Sequence, residues 1–449
     1  LAKEVNKKIS QKGVTLIEVL IGVGIISFVI LSIYSSLTGV MRAGSDAKQR
    51  IGAMALANEK MEVIRNLSYE DIGVVGGIVS GPITAEETIV QNGSTYQIDV
   101  DIRYVDDPFD GVFPADTINT DYKQAQVQVT WKNGGNDKTI TFFSNFVPNG
   151  IETNEGGGTL AINTVTSGGV LVPNVTITVE SLDDNPLVSY ETTTDAQGNL
   201  ILPGVPAQNY RFHASKSGYE SLQSYPNPPE SDFIPTEKDL YVSEGVINPF
   251  TFIIEETANL KLIANNVADD SFVEGISFQT SGGRRIGTSP DTFNFNETDS
   301  TNSSGEINYS SLSPGSYRIV NYDSLGNDTF DCIGSDSPSA FQLSSGVSSE
   351  INFIFADKEI DSLFVSIVNS ATNEPVVGAT VHLTGGSFDQ TLVSGGRGQV
   401  FFPAKTEPVT TIDAGNYDLS ISADGYENSD EEIYINDLVT HKVVLTVAE

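Results

Sequence analysis

The first forty residues divide into a polar head and an apolar run. Leu1 to Gly13 carries Lys3, Lys7, Lys8 and Lys12 against Glu4, and the 22 side chains from Val19 to Val40 include no charge. At about 1.5 Å per residue that run makes roughly 33 Å of helix, enough to cross a hydrocarbon core, and the basic head predicts that its own end stays in the cytoplasm. The run follows the small residue Gly13 instead of preceding it. A cut after Gly13 therefore leaves the anchor on the chain, unlike the cut of a secretory signal. Beyond Arg42 the pattern turns amphipathic, with Ile51, Met54, Ala55, Leu56, Met61, Val63, Ile64 and Leu67 among charged residues. The helix is expected to continue into a soluble head and to give that apolar face to its core.

Alternation of apolar and polar residues over Thr95 to Tyr104 and Gln124 to Trp131 predicts two strands. Asn133-Gly134-Gly135-Asn136 then turns the chain into Lys138 to Phe143 as a hairpin. Glu155-Gly156-Gly157-Gly158 reads as a flexible break, after which the chain repeats itself. Gly198, Gly305 and Gly398 lie 107 and 93 residues apart, and Tyr317 follows Gly305 at the spacing at which Tyr210 follows Gly198. In the first and third repeats a Gly-Tyr pair, Gly218-Tyr219 and Gly425-Tyr426, closes a spacing of nine residues from Tyr210 and Tyr417; the middle repeat lacks it. Units of about 100 residues with short strands and Gly and Pro turns have the size of small β-sandwiches. The glycines read as turn formers and the tyrosines as core residues with a wet tip. The expected fold class is an α+β head on a long N-terminal transmembrane helix, followed by three all-β sandwich domains. The boundaries are a leader at 1–13, the helix at 14–67, the head at 68–150, a linker at 151–158, and sandwiches at 159–257, 258–358 and 359–449.

Composition narrows the chemistry. Acidic residues outnumber basic ones 59 to 24, a formal net charge of -35, which repels phosphate backbones and argues against nucleic-acid binding by the bulk of the chain. Cys332 is the single cysteine, so no intramolecular disulfide forms, and His213, His382 and His441 stand far apart without a zinc or triad motif. No nucleophile with a base is found, and an enzyme is not expected. Asp106, Asp107 and Asp110, with Asp116 and Asp121 further on, are hard oxygen donors that suit calcium, although their spacing is not that of an EF-hand and aspartates also form plain turns. No other cofactor is expected.

Glu18 is the anomaly in the apolar segment, since a charge near a bilayer centre costs about 3 kcal/mol on insertion scales. Two readings are open: solvation at the cytoplasmic edge, about 6 Å into the helix, or pairing with the amine freed at Val14 of a neighbouring subunit. The stretch Gly13-Val14-Thr15-Leu16-Ile17-Glu18-Val19-Leu20 ahead of an apolar helix resembles the class III signal of type IV pilins and of type II secretion pseudopilins. That resemblance implies removal of the leader by prepilin peptidase after Gly13, methylation of the new amine on Val14, and Glu18 as the acid that registers an incoming subunit. Val14 stands where phenylalanine is more usual. The run Asn58 to Asp71 resembles the helix exit of minor pilins of the pilus-modification type and of minor pseudopilins.

The repeats resemble carboxypeptidase regulatory-like domains of the transthyretin-like type, most clearly over Pro375-Val376-Val377-Gly378-Ala379-Thr380-Val381. This module accompanies carboxypeptidases without performing their chemistry, so the resemblance implies no active site. A rival resemblance is to adhesin-stalk sandwiches, where a lysine and an asparagine on the first and last strands form an internal amide bond; Lys261 and Asn352 are the pair it implies for the middle repeat. Together these resemblances imply a minor pilin held in the inner membrane before assembly. It would then join other pilin subunits through its helix in an extracellular filament and display sandwiches to a surface ligand. The alternatives are a pseudopilin of a secretion or DNA-uptake machine and a single-pass surface binding protein.

Overall fold

A computed structural model describes residues 15–109, 111, 120–148, 157–183, 186–320, 329–338, 340–405 and 411–448. Helix α1 runs Leu16–Arg65 and is followed by β1 (Glu86–Gln91), β2 (Ser94–Val105), β3 (Tyr122–Asn133) and β4 (Asn136–Phe146), paired antiparallel in the order β1-β2-β3-β4. The second half of α1 lies on this meander, with Ala53, Leu56, Ala57, Met61 and Ile64 packed on Ile98, Ile102, Val127, Val129 and Trp131. A flat sheet takes only one stripe of a helix. That corrects part of the expected face: Ile51, Met54 and Val63 are exposed. The chain leaving α1 is held by buried Lys123, whose Nζ donates to the carbonyls of Tyr69 at 2.8 Å and Ile72 at 3.1 Å.

Three further hydrophobic cores follow in chain order, each between two sheets. Every module centres its first strand between its own last strand, parallel, and an antiparallel neighbour. Gly157–Val165 lies between Ile247–Ile253 and Asn199–Pro206, Ala258–Asn266 between Ser348–Asp357 and Glu306–Leu312, and Ser362–Asn369 between Leu438–Leu445 and Gln399–Phe402. Gly157 and Gly158 therefore belong to a strand, not to the flexible break read from the sequence. They are glycines because other backbone comes close: a Cβ would fall 2.6 Å from Gly204 C or 2.2 Å from Ser243 O.

The repeated residues have one physical role each. Gly198, Gly305 and Gly398 sit at φ +74°, +65° and +66°, and an added Cβ would stand 2.7, 2.7 and 2.5 Å from the carbonyl oxygens of Thr164, Ala264 and Ile367. Each of these glycines accepts a bond from the opening strand, from the N–H of Thr164, Ala264 and Ile367 at 2.8, 2.9 and 2.8 Å. The tyrosine rings fill the cores, and each hydroxyl donates to the carbonyl four residues upstream: Tyr210 to Pro206 at 3.0 Å, Tyr317 to Ser313 at 2.8 Å and Tyr417 to Asp413 at 2.7 Å. Each tip bonds its own backbone, as in the tyrosine corner of other sandwiches.

Lys261 and Asn352 are not joined. Lys261 Nζ pairs with Glu306 at 2.7 Å and Glu350 at 3.4 Å, while the Asn352 amide donates to Asp336 at 2.8 Å. Both side chains are committed elsewhere, which removes the geometry that the rival resemblance requires.

Candidate assembly site at the amino terminus

Thr15 precedes α1 with φ -80° and ψ 151°, the extended conformation of an N-cap. Its N–H and its hydroxyl each donate to Glu18 Oε2 at 2.9 Å, and its Oγ1 accepts from the Glu18 N–H at 3.4 Å. This is a reciprocal capping box, which satisfies donors that a helix start otherwise leaves unmade. Its sequence signal is Thr-x-x-Glu ahead of an apolar run, which adds Thr15 to the residues of this site. Glu18 is thus fixed at the helix start with its charge near the positive end of the helix dipole, which favours an anion there. Gly13 and Val14 lie outside the described residues.

From Leu16 to Met41 the helix surface is apolar and exposed, with Leu16, Phe28, Tyr34 and Val40 among the most open positions. This is the one helix among the described residues long and apolar enough to cross a membrane. Three of its hydroxyls are satisfied within the helix: Ser27 donates to the Val23 carbonyl at 2.8 Å, Ser32 to Phe28 at 2.9 Å and Thr38 to Ser35 at 2.9 Å. Such bonds let polar side chains sit in lipid or in a packed apolar bundle.

Asp107 Oδ1 accepts from the Phe109 N–H at 3.0 Å and the Asp107 N–H donates to Asp121, the turn-forming use of aspartate, while Asp110 lies outside the described residues. Among the described residues no set of three His, Cys, Asp or Glu side chains is placed to hold a metal ion. His213, His382 and His441 each face one carboxylate: Glu180 at 3.7 Å, Asp389 at 2.9 Å and Glu431 at 2.7 Å. Cys332 is half-buried, with its Sγ on the Gly334 carbonyl.

The prokaryotic N-terminal methylation motif matches residues 8–34. The amino terminus is a prepilin motif. The carboxypeptidase regulatory-like domain matches residues 163–235, within the first sandwich. The two matches fall on the start of α1 and on part of one β-sandwich module, so the chain is similar to prepilins at its amino terminus and to regulatory-like domains in its first sandwich. No curated protein sequence matches the chain. Among solved structures, the TIE protein of Bacillus anthracis is similar at 13% identity over 81% of this chain and 74% of that one, with a TM-score of 0.21. A streptococcal ancillary pilin matches at 14% identity over 65% of this chain and 99% of its own, TM-score 0.19. BcpA, the major pilin subunit of Bacillus cereus, matches at 10% over 65% and 99%, TM-score 0.17.

Proposed function

We propose that the chain is a minor subunit of a type IV pilus-like filament. Prepilin peptidase cuts after Gly13, α1 holds the mature subunit in the membrane, and assembly transfers the helix into the filament core. The head on β1–β4 joins the shaft as a pilin head, and the three sandwiches are displayed outward for adhesion. The observation that carries this reading is the division of α1: the prepilin motif opens a helix whose first half is bare and apolar, while its second half is built into a folded head. In transit the bare half needs a bilayer; in a filament it needs other helices.

Glu18 supplies the registering chemistry. Both intrachain donors fall on Oε2, so Oε1 can take the cationic amine of Val14 on an entering subunit, and two opposite charges brought together in an apolar bundle cost less than either alone. The test is co-expression with a prepilin peptidase and the pilin subunits of one host, reading the mature amino terminus by mass spectrometry. Native chain is expected to begin at Val14, Gly13→Leu to keep its leader, and Glu18→Ala to be cut yet missing from sheared filaments. An uncut native leader would falsify the reading.

A further inference from the structure

In the third sandwich the strand Ser429–Ile435 pairs without interruption along Gly415–Ser422. The first sandwich has the same strand in two pieces. Leu222–Gln223 pairs with Ala214 and His213, and Leu240–Tyr241 pairs with Tyr210 and Asn209, so residues 224–239 stand where residues 431 and 432 stand in the third. The inserted segment has a closed base. The Tyr225 N–H donates to Glu237 O and the Asp239 N–H to Tyr225 O, both at 2.9 Å, while Asp239 takes Arg211 at 2.8 Å and the Ser224 hydroxyl at 2.6 Å.

The far part of this arm leaves its own module. Ile234 and Pro235 pair antiparallel with Thr288 and Gly287 of the second sandwich, and the Thr236 N–H donates to Ile286 O at 3.0 Å. Phe233 lies over Gly287 so closely that a Cβ there would be 2.0 Å from its ring, and the same ring packs edge-on against Tyr225 at 5.5 Å. Glu237 reaches Arg284 of the second sandwich at 3.3 Å. We infer that residues 225–239 are a clasp that fastens the first two sandwiches into one stiff body, leaving the third free to swing about the 358–361 linker. The linkers themselves do not make this difference, because 254–257 and 358–361 are equally short. What differs is a strand and a ring carried across one joint and not the other, beside a buried Arg284–Glu220 pair where the second joint has the exposed Lys405–Asp270 pair.

The test uses the full chain in lipid nanodiscs with Cys332→Ser, spin-labelled at two of Gln197→Cys, Ser303→Cys and Gly396→Cys, which occupy exposed turns of the three sandwiches. Pulsed dipolar spectroscopy reads the width of each distance distribution. The expected result is a narrow Gln197–Ser303 distribution and a wide Ser303–Gly396 one. Replacing 226–237 by a Gly-Ser linker should widen the first to match the second, without touching the second. Thr236→Pro with Phe233→Ser, which removes one cross-joint N–H donor and the ring while sparing both cores, should widen it in the same direction. A native first joint as wide as the second, or a first joint that stays narrow in the folded variants, overturns the clasp.

Discussion

The joint between the first and second sandwiches and the joint between the second and third span linkers of equal length, yet they are built from different interactions. At the first, Arg284 enters a pocket of carboxylates: its Nη2 and Nε grip Glu220 at 2.6 and 3.1 Å, its Nη1 meets Glu237, and Nη2 also donates to the Ile253 carbonyl. Glu220 is 2% exposed and Arg284 16%. At the second, Lys405 Nζ meets Asp270 at 2.5 Å and the Asp269 carbonyl at 3.0 Å, with the two side chains 58% and 78% exposed. The lesson is that an ion pair defines a joint only when water is kept away from it. A buried pair holds because neither partner can be released to solvent without the other, whereas an exposed pair exchanges freely with water and salt.

The sharpest way to break the contrast is Arg284→Met. The change keeps much of the side-chain volume but leaves Glu220 buried and uncompensated, a loss of about 3–5 kcal/mol for a buried pair broken from one side. Chemical denaturation of the full chain should show the transition of the first two sandwiches moved to lower denaturant, with that of the third unchanged. Double replacement with Glu220→Leu should recover much of the loss, since the penalty belongs to the orphaned charge. A single variant as stable as native would mean that Glu220 finds water there.

The joint between head and first sandwich sharpens the comparison in a different way. Ile78 of the head packs into the core of the first sandwich, the Ser189 N–H donates to Gly76 O at 2.7 Å, and Asp101 on β2 lines the same cleft as Tyr190. Burial pushes the Asp101 carboxyl up, more than the nearby Arg103 and the Tyr190 hydroxyl pull it down, and it also pushes the Tyr190 hydroxyl up. A carboxyl with a raised folded pKa keeps its proton in the folded state over a range where the unfolded chain has lost it. Its contribution to stability therefore worsens as pH rises from the unfolded value, about 3.9, through the folded one. Asp101→Asn is expected to stabilise this joint at neutral pH and to lose that advantage as pH falls toward the unfolded value. Thermal melts of native and variant across that range check the sign; an advantage growing toward low pH contradicts it.

Much of the molecule was legible because it is local. The apolar run, Glu18 in its motif, the period that exposes Gly198, Gly305 and Gly398, and the tyrosines that follow them are short-range patterns fixed by helix, turn and strand geometry. The joints were not legible. Glu220 and Arg284 lie 64 residues apart in sequence with nothing local to couple them, and the arm hides its strand because Leu222–Gln223 and Leu240–Tyr241 are too short to show a period. Gly157 and Gly158 misled for a related reason: glycine serves flexibility and close approach equally, and only the neighbouring backbone of Gly204 and Ser243 decides between them. Ile51 and Met54 look like core residues until the sheet they fail to reach is in place.

The smallest expected effect is the one that tests the contrast from its other side. Lys405→Ala removes the cross-joint contacts with Asp269 and Asp270, yet Lys405 lies in solvent and its partner carboxylate can be hydrated at once. Exposed pairs of this kind contribute about 0–1 kcal/mol and fade in salt, so the unfolding midpoint of the third sandwich should not move measurably. What should change is reach: small-angle scattering at low ionic strength should show a slightly larger radius of gyration for the variant, and added salt should bring the native chain to the same value. A salt-independent change, or a clear loss of stability, would mean that Lys405 holds a second latch and that the two joints differ in degree and not in kind.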